Sequence, residues 1–267
     1  MGAQFSLEPL NVPELAGAEL VRTAARAGFE FVSIFAHSPL PDMPVDAAIT
    51  DDEARQAMKH AMAETGVRVL NLECFNLLPG LDPASFAAGL ERGAERGATT
   101  ATAIVYENPD LAEALSLYRR LCDMAAEHGI RANVEFFATC KSLRSITEVA
   151  DFVRRAGRGN SGIVLDVLHL MRTSGGLAGL AQIDPEMIGS IQVSDGMLAP
   201  PADLEAELTN RLLPGRGEFP LVEIISRCPV GLPLGIEAPT LATMDQTPAQ
   251  ERAIAAYRAA ADVFGDR

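Results

Sequence analysis

The chain has 267 residues, enough for one large core, and 48% of them are hydrophobic. Its 36 Asp and Glu residues outnumber 22 Lys and Arg, and the net charge of −14 disfavours nucleic acid and anionic membrane surfaces as partners. The four cysteines form no CxxC pair, so we predict free thiols. The chain shows neither a leader pattern nor an apolar run of the roughly 18 residues that span a membrane, so we predict a cytoplasmic protein.

Short apolar runs alternate with amphipathic helices along the chain. The predicted strands are Gln4–Leu7, Phe29–Phe35, Val67–Phe75, Thr100–Tyr106, Arg131–Phe137, Gly162–Val167, Ile188–Ser194 and Leu232–Ala238. The predicted helices are Val12–Ala27, Asp51–Thr65, Pro83–Arg96, Pro109–His128, Ser142–Ala156, Gly175–Ala181, Pro220–Cys228 and Pro248–Phe264. Eight such repeats without a break in composition favour an α/β fold of one domain over residues 1–267, a closed (β/α)₈ TIM barrel.

Several helix ends carry their own signals. Asp82-Pro83 and Asn108-Pro109 each place a capping residue before a proline at the first helical position. Glycines follow the first four predicted helices, as C-caps commonly do: Gly28, Gly66, Gly97 and Gly129.

Two predicted loops are long. Ala36–Thr50 follows the second strand and contains His37, and Asp195–Pro220 follows the seventh and contains a short helix near Ala202–Leu208. Loops that follow barrel strands lie on the catalytic face, so we expect the second loop to be a mobile lid that brings Arg211 to a substrate.

Four apolar runs in the second half of the chain end in a polar side chain. These are Glu135, Asp166, Gln192 and Glu237, at the ends of predicted strands five to eight. Burying such groups costs free energy unless a partner compensates, and four successive strand ends meet at one face. Three carboxylates and an amide oxygen suit one hard divalent cation, Mn²⁺ or Mg²⁺ in the first place, with Co²⁺ or Zn²⁺ as further candidates.

With these residues the chain resembles the xylose isomerase-like barrel superfamily, which contains sugar isomerases and epimerases, endonuclease IV and metal-dependent 3-dehydroshikimate dehydratases. In that family, Glu, Asp, His and Glu at strands five to eight bind one divalent metal. Glu135, Asp166 and Glu237 match this pattern, whereas Gln192 stands where the epimerases have His. Similar dehydratases have Gln there, so the resemblance implies a metal site and puts epimerase chemistry in question.

The resemblance implies further site residues. His169, in an Asp-x-x-His motif, matches a His that contacts substrate, and Arg211 precedes a PGxG turn as a substrate-binding Arg does in the family. Asp195 follows Gln192 closely, and both an orienting role and a loop-capping role are open. Three other residues near strand ends are predicted to contact substrate: His37, Glu73 and Tyr106.

A metal that chelates adjacent carbonyl and hydroxyl oxygens acidifies the C–H bond between them and stabilises the enediolate. Glu135 and Glu237 are the predicted pair of proton-transfer groups, with His169 as a further acid or base. We therefore predict an isomerase or epimerase of carbohydrate metabolism that acts on a small sugar or polyhydroxy carbonyl compound. The alternative is a lyase of the 3-dehydroshikimate dehydratase type, which is expected to carry a His near strand five, where Glu135-Phe136-Phe137 supplies none.

Other readings have less support. A repair nuclease needs a multi-zinc site rich in His, and the chain has four histidines. A metal-free binding barrel would require Glu135, Asp166 and Glu237 to be paired internally. The expected partner is the small-molecule substrate, and homo-oligomerisation is left open.

Overall fold

The computed structural model describes residues 2–38, 44–106 and 108–265. Within them, eight parallel strands close into a barrel in chain order, so the predicted fold is confirmed. The strands are β1 Phe5–Leu7, β2 Phe31–Phe35, β3 Arg68–Asn76, β4 Thr100–Ile104, β5 Arg131–Glu135, β6 Ser161–Asp166, β7 Ile188–Val193 and β8 Leu234–Ile236.

Helices surround the barrel, and each predicted helix overlaps one of them. They are α1 Gly17–Ala27, α2 Ala47–Thr50, α3 Asp52–Thr65, α4 Ala87–Ala94, α5 Leu111–Ala126, α6 Ile146–Ala156, α7 Val167–Arg172, α8 Gly176–Leu180, α9 Leu204–Leu208, α10 Leu221–Ser226 and α11 Ala249–Phe264. Short 3₁₀ helices lie at Pro9–Asn11, Pro83–Phe86, Pro185–Met187 and Leu241–Gln246. Across the described ranges, none of the helices has the length and apolar character needed to span a bilayer.

Some helix ends differ from the predictions for tertiary reasons. The start predicted at Val12 is wrong: α1 begins at Gly17, whose amide donates to the Asp46 carboxylate from a different loop at 2.9 Å. The start at Asn108-Pro109 is also wrong, because Asp110 caps α5 and the Asn108 side chain instead donates to the Leu77 carbonyl at 3.0 Å. Asp82 does cap its helix as predicted.

Two of the four glycine signals are confirmed, since Gly28 and Gly66 are left-handed C-caps of α1 and α3. Gly97 and Gly129 also have a positive φ, but they lie two residues beyond the C-caps of α4 and α5. The predicted short helix near Ala202–Leu208 is α9. The predicted loop Ala36–Thr50 lies partly outside the described residues, and its described end contains α2. The short helix α7 was not predicted.

The main core lies between the barrel and its helices, and buried apolar side chains from every strand contribute to it. The buried polar side chains Glu135, Asp166, Gln192 and Glu237 lie instead at the carboxyl ends of β5 to β8, which are side by side. This arrangement places the predicted metal ligands at one mouth of the barrel.

Candidate active site

Strand register brings the four strand-end residues together. Asp166 is directly paired with Gln192 between β6 and β7, and Gln192 with Gly235 between β7 and β8. Glu237 follows β8 immediately, and Glu135 is the last residue of β5. All four side chains are buried.

The two carboxylate oxygens of Asp166 have different partners. Its Oδ1 caps α7 by accepting from the amides of Leu168 at 2.7 Å and His169 at 3.2 Å. Its Oδ2 points to the site. The helix it caps carries His169 back over the strand ends, with Nε2 at 3.6 Å from Glu135 Oε1 and 3.8 Å from Asp166 Oδ2.

These three residues could form the core of a metal centre. Ligand atoms of Glu135, Asp166 and His169 lie within 4.8 Å of one another. Both ring nitrogens of His169 lack a hydrogen-bond partner among the described residues, although the ring is almost fully buried. Unpaired buried donors and acceptors are costly, so a ligand is expected to engage this ring.

Arg211 already lies inside the site. Its Nη1 is 2.6 Å from Asp166 Oδ2 and 3.0 Å from Glu237 Oε2, and its Nε donates to the Leu208 carbonyl at 2.9 Å. The guanidinium therefore neutralises two of the predicted metal ligands. No comparable ion pair with an arginine or lysine is found for Glu135 within the described residues.

Gln192 is oriented by Glu73. Its Nε2 donates to Glu73 Oε1 at 3.1 Å and approaches Glu237 Oε1 at 3.5 Å. The same Glu73 oxygen accepts from Asn71 at 2.6 Å and from Thr102 at 3.3 Å, so it belongs to a buried network on β3 and β4. Gln192 Oε1 is left without a hydrogen-bond partner in the described part of the chain.

The structure adds Glu8, which the sequence interpretation missed. Glu8 follows β1 directly and is buried, and its Oε1 accepts from Ser33 Oγ at 2.9 Å. A side chain at Gly235 would meet this carboxylate, because a Cβ there would lie 2.5 Å from Glu8 Oε1. The signal was present in the sequence: Glu8 ends an apolar run as Glu135 and Glu237 do.

Burial and mutual repulsion perturb the carboxyl groups. Burial raises the pKa of Glu8, Glu73 and Glu237 to about 8, and it raises the pKa of Glu135 well above its usual range. Burial would also raise the pKa of Asp166, but the charges of Arg211 and His169 and the hydrogen bonds from the Arg211 side chain and the His169 amide together outweigh burial, and the pKa is lowered.

The residues present fit a divalent cation. Among the described residues, five buried carboxyl groups at this mouth share the Arg211 guanidinium; burial is the main cause of the raised pKa values, and repulsion between neighbouring carboxyl groups adds to it. Burial lowers the pKa of His169 to about 4, so its imidazole is neutral at pH 7, and the unpaired Gln192 Oε1 is a neutral oxygen donor. Glu135, Asp166, Gln192 and Glu237 are thus suited to hold the metal, with His169 beside them.

A cavity of about 310 Å³ opens above these residues, with Glu73, Glu135, Arg211 and Glu237 among its lining. Apolar side chains form much of the remaining wall: Pro9, Leu10, Phe35, Ile104, Phe137 and Leu208. At the rim, the Tyr106 hydroxyl donates to the Glu205 carboxylate of α9 at 3.1 Å. Tyr106 and Glu73, both predicted to contact substrate, line the cavity.

His37 does not border this cavity in the structure. Its ring stacks on Phe75 with centroids 5.6 Å apart, and its Nε2 is 3.4 Å from Ser85 Oγ. The amides of Ala36 and His37 both donate to the Glu73 carbonyl of β3.

Asp195 fastens the long loop after β7. Its carboxylate accepts from the amides of Gly215 at 3.0 Å, Gly217 at 2.9 Å and Phe219 at 3.1 Å. Of the two roles left open by the sequence, these contacts favour the loop-capping one.

A family model described as xylose isomerase-like TIM barrel matches residues 21–228. A 3-dehydroshikimate dehydratase of Pseudomonas aeruginosa is 27% identical over 223 residues, which are 78% of this chain and 33% of that protein. The chain thus spans about a third of the length of this curated relative.

Solved structures with the same fold share little sequence. The IOLI protein with a bound zinc atom has a TM-score of 0.75 at 17% identity, with 97% of each chain covered. D-psicose 3-epimerase, crystallised in the presence of D-fructose, has a TM-score of 0.75 at 16% identity, with 98% of this chain and 99% of that chain covered. At this identity the likeness shows the fold alone.

Proposed function

This chain belongs to the xylose isomerase-like TIM barrel family, and on that basis we propose that it is a divalent-metal-dependent enzyme that removes a proton next to a carbonyl group of a small polyhydroxylated compound. Proteins similar to this chain include an epimerase and a dehydratase. Epimerisation and dehydration both begin with removal of a proton next to a carbonyl group.

The observation that carries the proposal is the unpaired oxygen of Gln192 in a buried acidic cluster. Gln192 Oε1 is buried without a partner among the described residues, and the other three predicted ligands, Glu135, Asp166 and Glu237, are buried at the ends of β5, β6 and β8. Glu135, Asp166, Gln192 and Glu237 would hold Mn²⁺ or Mg²⁺. When bound, such an ion polarises a carbonyl group and makes the adjacent C–H bond more acidic.

The chain's own residues supply the remaining steps. Glu135 and Glu237 extend from β5 and β8 into the cavity and are placed to take and return protons. Arg211 lines the same cavity and can bind a substrate oxygen. The apolar wall and α9 exclude water from the reacting carbon.

We place dehydration first among the outcomes. The C–H bond breaks and its proton passes to a base, the C–O bond of a β-hydroxyl breaks, and the hydroxyl leaves as water with a proton from a protein acid. The 27% identical dehydratase and the glutamine at position 192 support this outcome.

Epimerisation is the second candidate. It requires one group to remove a proton and another to return it on the opposite face, and Glu135 and Glu237 form such a pair of cavity-lining carboxyl groups. The sequence alone favoured this outcome because it is frequent on this fold.

The test is incubation of Mn²⁺-loaded protein in D₂O with 3-dehydroshikimate, D-psicose and inososes, followed by NMR. We expect product or deuterium incorporation with at least one compound, and its loss after EDTA treatment. Glu135→Gln should lower the rate about 10²–10⁴-fold, whereas the matched change at exposed Glu91→Gln should not. Tight metal binding without proton exchange in any of these compounds would contradict the proposal.

A further inference from the structure

A second cavity lies on the outside of the barrel, between α3 and α4. It has a volume of about 430 Å³, and it shares no lining residue with the cavity above the strand ends. Helix α3 packs on α1 and α2, while α4 packs on α2 and β3, so a groove remains between the two helices.

The side chains around this groove are mostly cationic. Arg55 and Lys59 are four residues apart on α3, Arg92 lies in the last turn of α4, Arg96 lies just beyond the end of α4, and Glu95 is the carboxylate among the lining residues. Like charges at this spacing on a helix are destabilising. The grouping is unusual in a chain with 22 Lys and Arg residues and a net charge of −14.

Arg96 makes the groove more than a set of surface cations. Only 5% of Arg96 is exposed, and its Nη2 donates to the Ala48 carbonyl at 2.8 Å while Nη1 donates to the Arg92 carbonyl. Its Nε has no hydrogen-bond partner within the described residues. A buried guanidinium with an unused donor is costly unless an anion compensates it.

The local carboxylates compensate only part of this charge. Arg55 pairs with Asp52, which is mostly exposed, and Arg92 Nη1 lies 3.4 Å from Glu95 Oε1. Burial lowers the pKa of Arg96, the carboxylates of Glu95 and Asp46 oppose this, and the neighbouring Arg55 and Arg92 add to the lowering, so the pKa remains lowered overall. Lys59 is exposed at the edge of the groove.

We propose that this groove is a binding site for a small multivalent anion that carries phosphate groups, separate from the active site. Guanidinium groups match phosphate oxygens through paired hydrogen bonds, and a lysine adds a point charge. A cavity of about 430 Å³ has room for a diphosphate attached to a larger group.

The test is calorimetric titration of the full-length protein with inorganic pyrophosphate at constant ionic strength. We expect saturable binding that Lys59→Gln with Arg92→Gln weakens at least about tenfold. The control pair, Lys141→Gln with Arg258→Gln, removes the same charge away from the groove and should leave binding unchanged. Neither pair includes buried Arg96, and a thermal melt checks that both variants are folded.

Three outcomes would overturn the proposal. Equal weakening by the control pair would show a general effect of net charge. Undiminished binding in the groove variant would place pyrophosphate elsewhere, for instance on an active-site metal. A change of oligomeric state in the groove variant alone, measured by light scattering, would make the groove a contact between copies of the chain.

Discussion

Gln192 differs from the carboxyl groups around it because its amide has one donor atom and one acceptor atom, and hydrogen bonding within the described residues leaves the acceptor unused. The amide nitrogen donates to Glu73, so the oxygen remains for a ligand. The two oxygens of Asp166 also have separate partners, since Oδ1 caps α7 and Oδ2 pairs with Arg211. At the scale of single residues, the hydrogen-bond and ion-pair partners of each side-chain atom determine which atoms remain available to bind a ligand.

The first prediction concerns Gln192→His. Both side chains are neutral donors at pH 7, so the charge of the site is unchanged and metal binding should persist. Imidazole is the softer donor, so preference for Zn²⁺ or Co²⁺ over Mg²⁺ should increase. Competition titrations with these ions measure the ratio, and an unchanged ratio would remove Gln192 from the ligands.

The second prediction concerns Glu73, to which the structure adds a positioning role. Glu73→Met removes the acceptor that orients Gln192 and should weaken Mn²⁺ binding about 10–100-fold. Glu73→Gln keeps an oxygen at that position and should retain more of the affinity. Calorimetry on both variants makes the comparison, and equal affinities would show that Gln192 is held by other contacts.

At the scale of elements, the segment after β7 has two parts: a base that hydrogen bonds hold to the barrel, and helix α9, which covers the mouth of the barrel. Asp195 fastens the base to the turn at Gly215–Phe219, and Leu212 pairs with Asp195 in a short bridge. Helix α9 covers the mouth through the Arg172–Glu207 ion pair at 2.6 Å and the Tyr106–Glu205 hydrogen bond. Arg211 lies between these parts and is buried, so any lid motion is expected in α9 and its flanks.

The third prediction concerns Arg211→Ala. Loss of the guanidinium should lower kcat/KM by roughly one to three orders of magnitude, with about 1.4 kcal/mol for each factor of ten. Metal affinity should be retained or increased, because a cation that competes for Asp166 and Glu237 is removed. Arg216→Ala, an exposed change in the same segment, is the control. Metal loss in Arg211→Ala would show that the arginine supports the site instead of competing for it.

For the whole molecule, the buried acids link stability to pH. Burial raises the pKa of Glu8, Glu73 and Glu237 from 4.5 to about 8, so the folded protein holds these protons more tightly than the unfolded chain. Their contribution is present below pH 4.5 and is lost as the pH rises toward 8. The lowered pKa of Asp166 acts oppositely, and its contribution is lost only in acid.

The fourth prediction follows from that linkage. Metal-free protein in EDTA should melt at a temperature at least about 5 °C higher at pH 6 than at pH 9. Mn²⁺ should raise Tm more at pH 9, because the ligands are then ionised. Scanning calorimetry across this range tests both statements. Glu8→Gln should flatten the pH dependence of the metal-free protein, and a wild-type Tm independent of pH would contradict the assigned pKa shifts.

The barrel and the set of strand-end residues followed from the sequence because both depend on local patterns. Short apolar runs alternating with amphipathic helices predict parallel strands, and the carboxyl ends of such strands meet at one face. Glu135, Asp166, Gln192 and Glu237 could therefore be grouped without coordinates. The same rule covered Glu8, which was overlooked.

The partners of these residues were decided only by the tertiary structure. Gln192 and Glu73 are 119 positions apart, and Asp166 and Arg211 are 45 apart, so no local pattern relates them. The unpredicted helix α7 brings His169 beside Glu135, and His37 stacks on Phe75 outside the cavity lining. Periodicity shows which face a side chain occupies, whereas hydrogen bonds, burial and charge depend on atoms that meet through space, and these determine which groups remain for a metal or substrate.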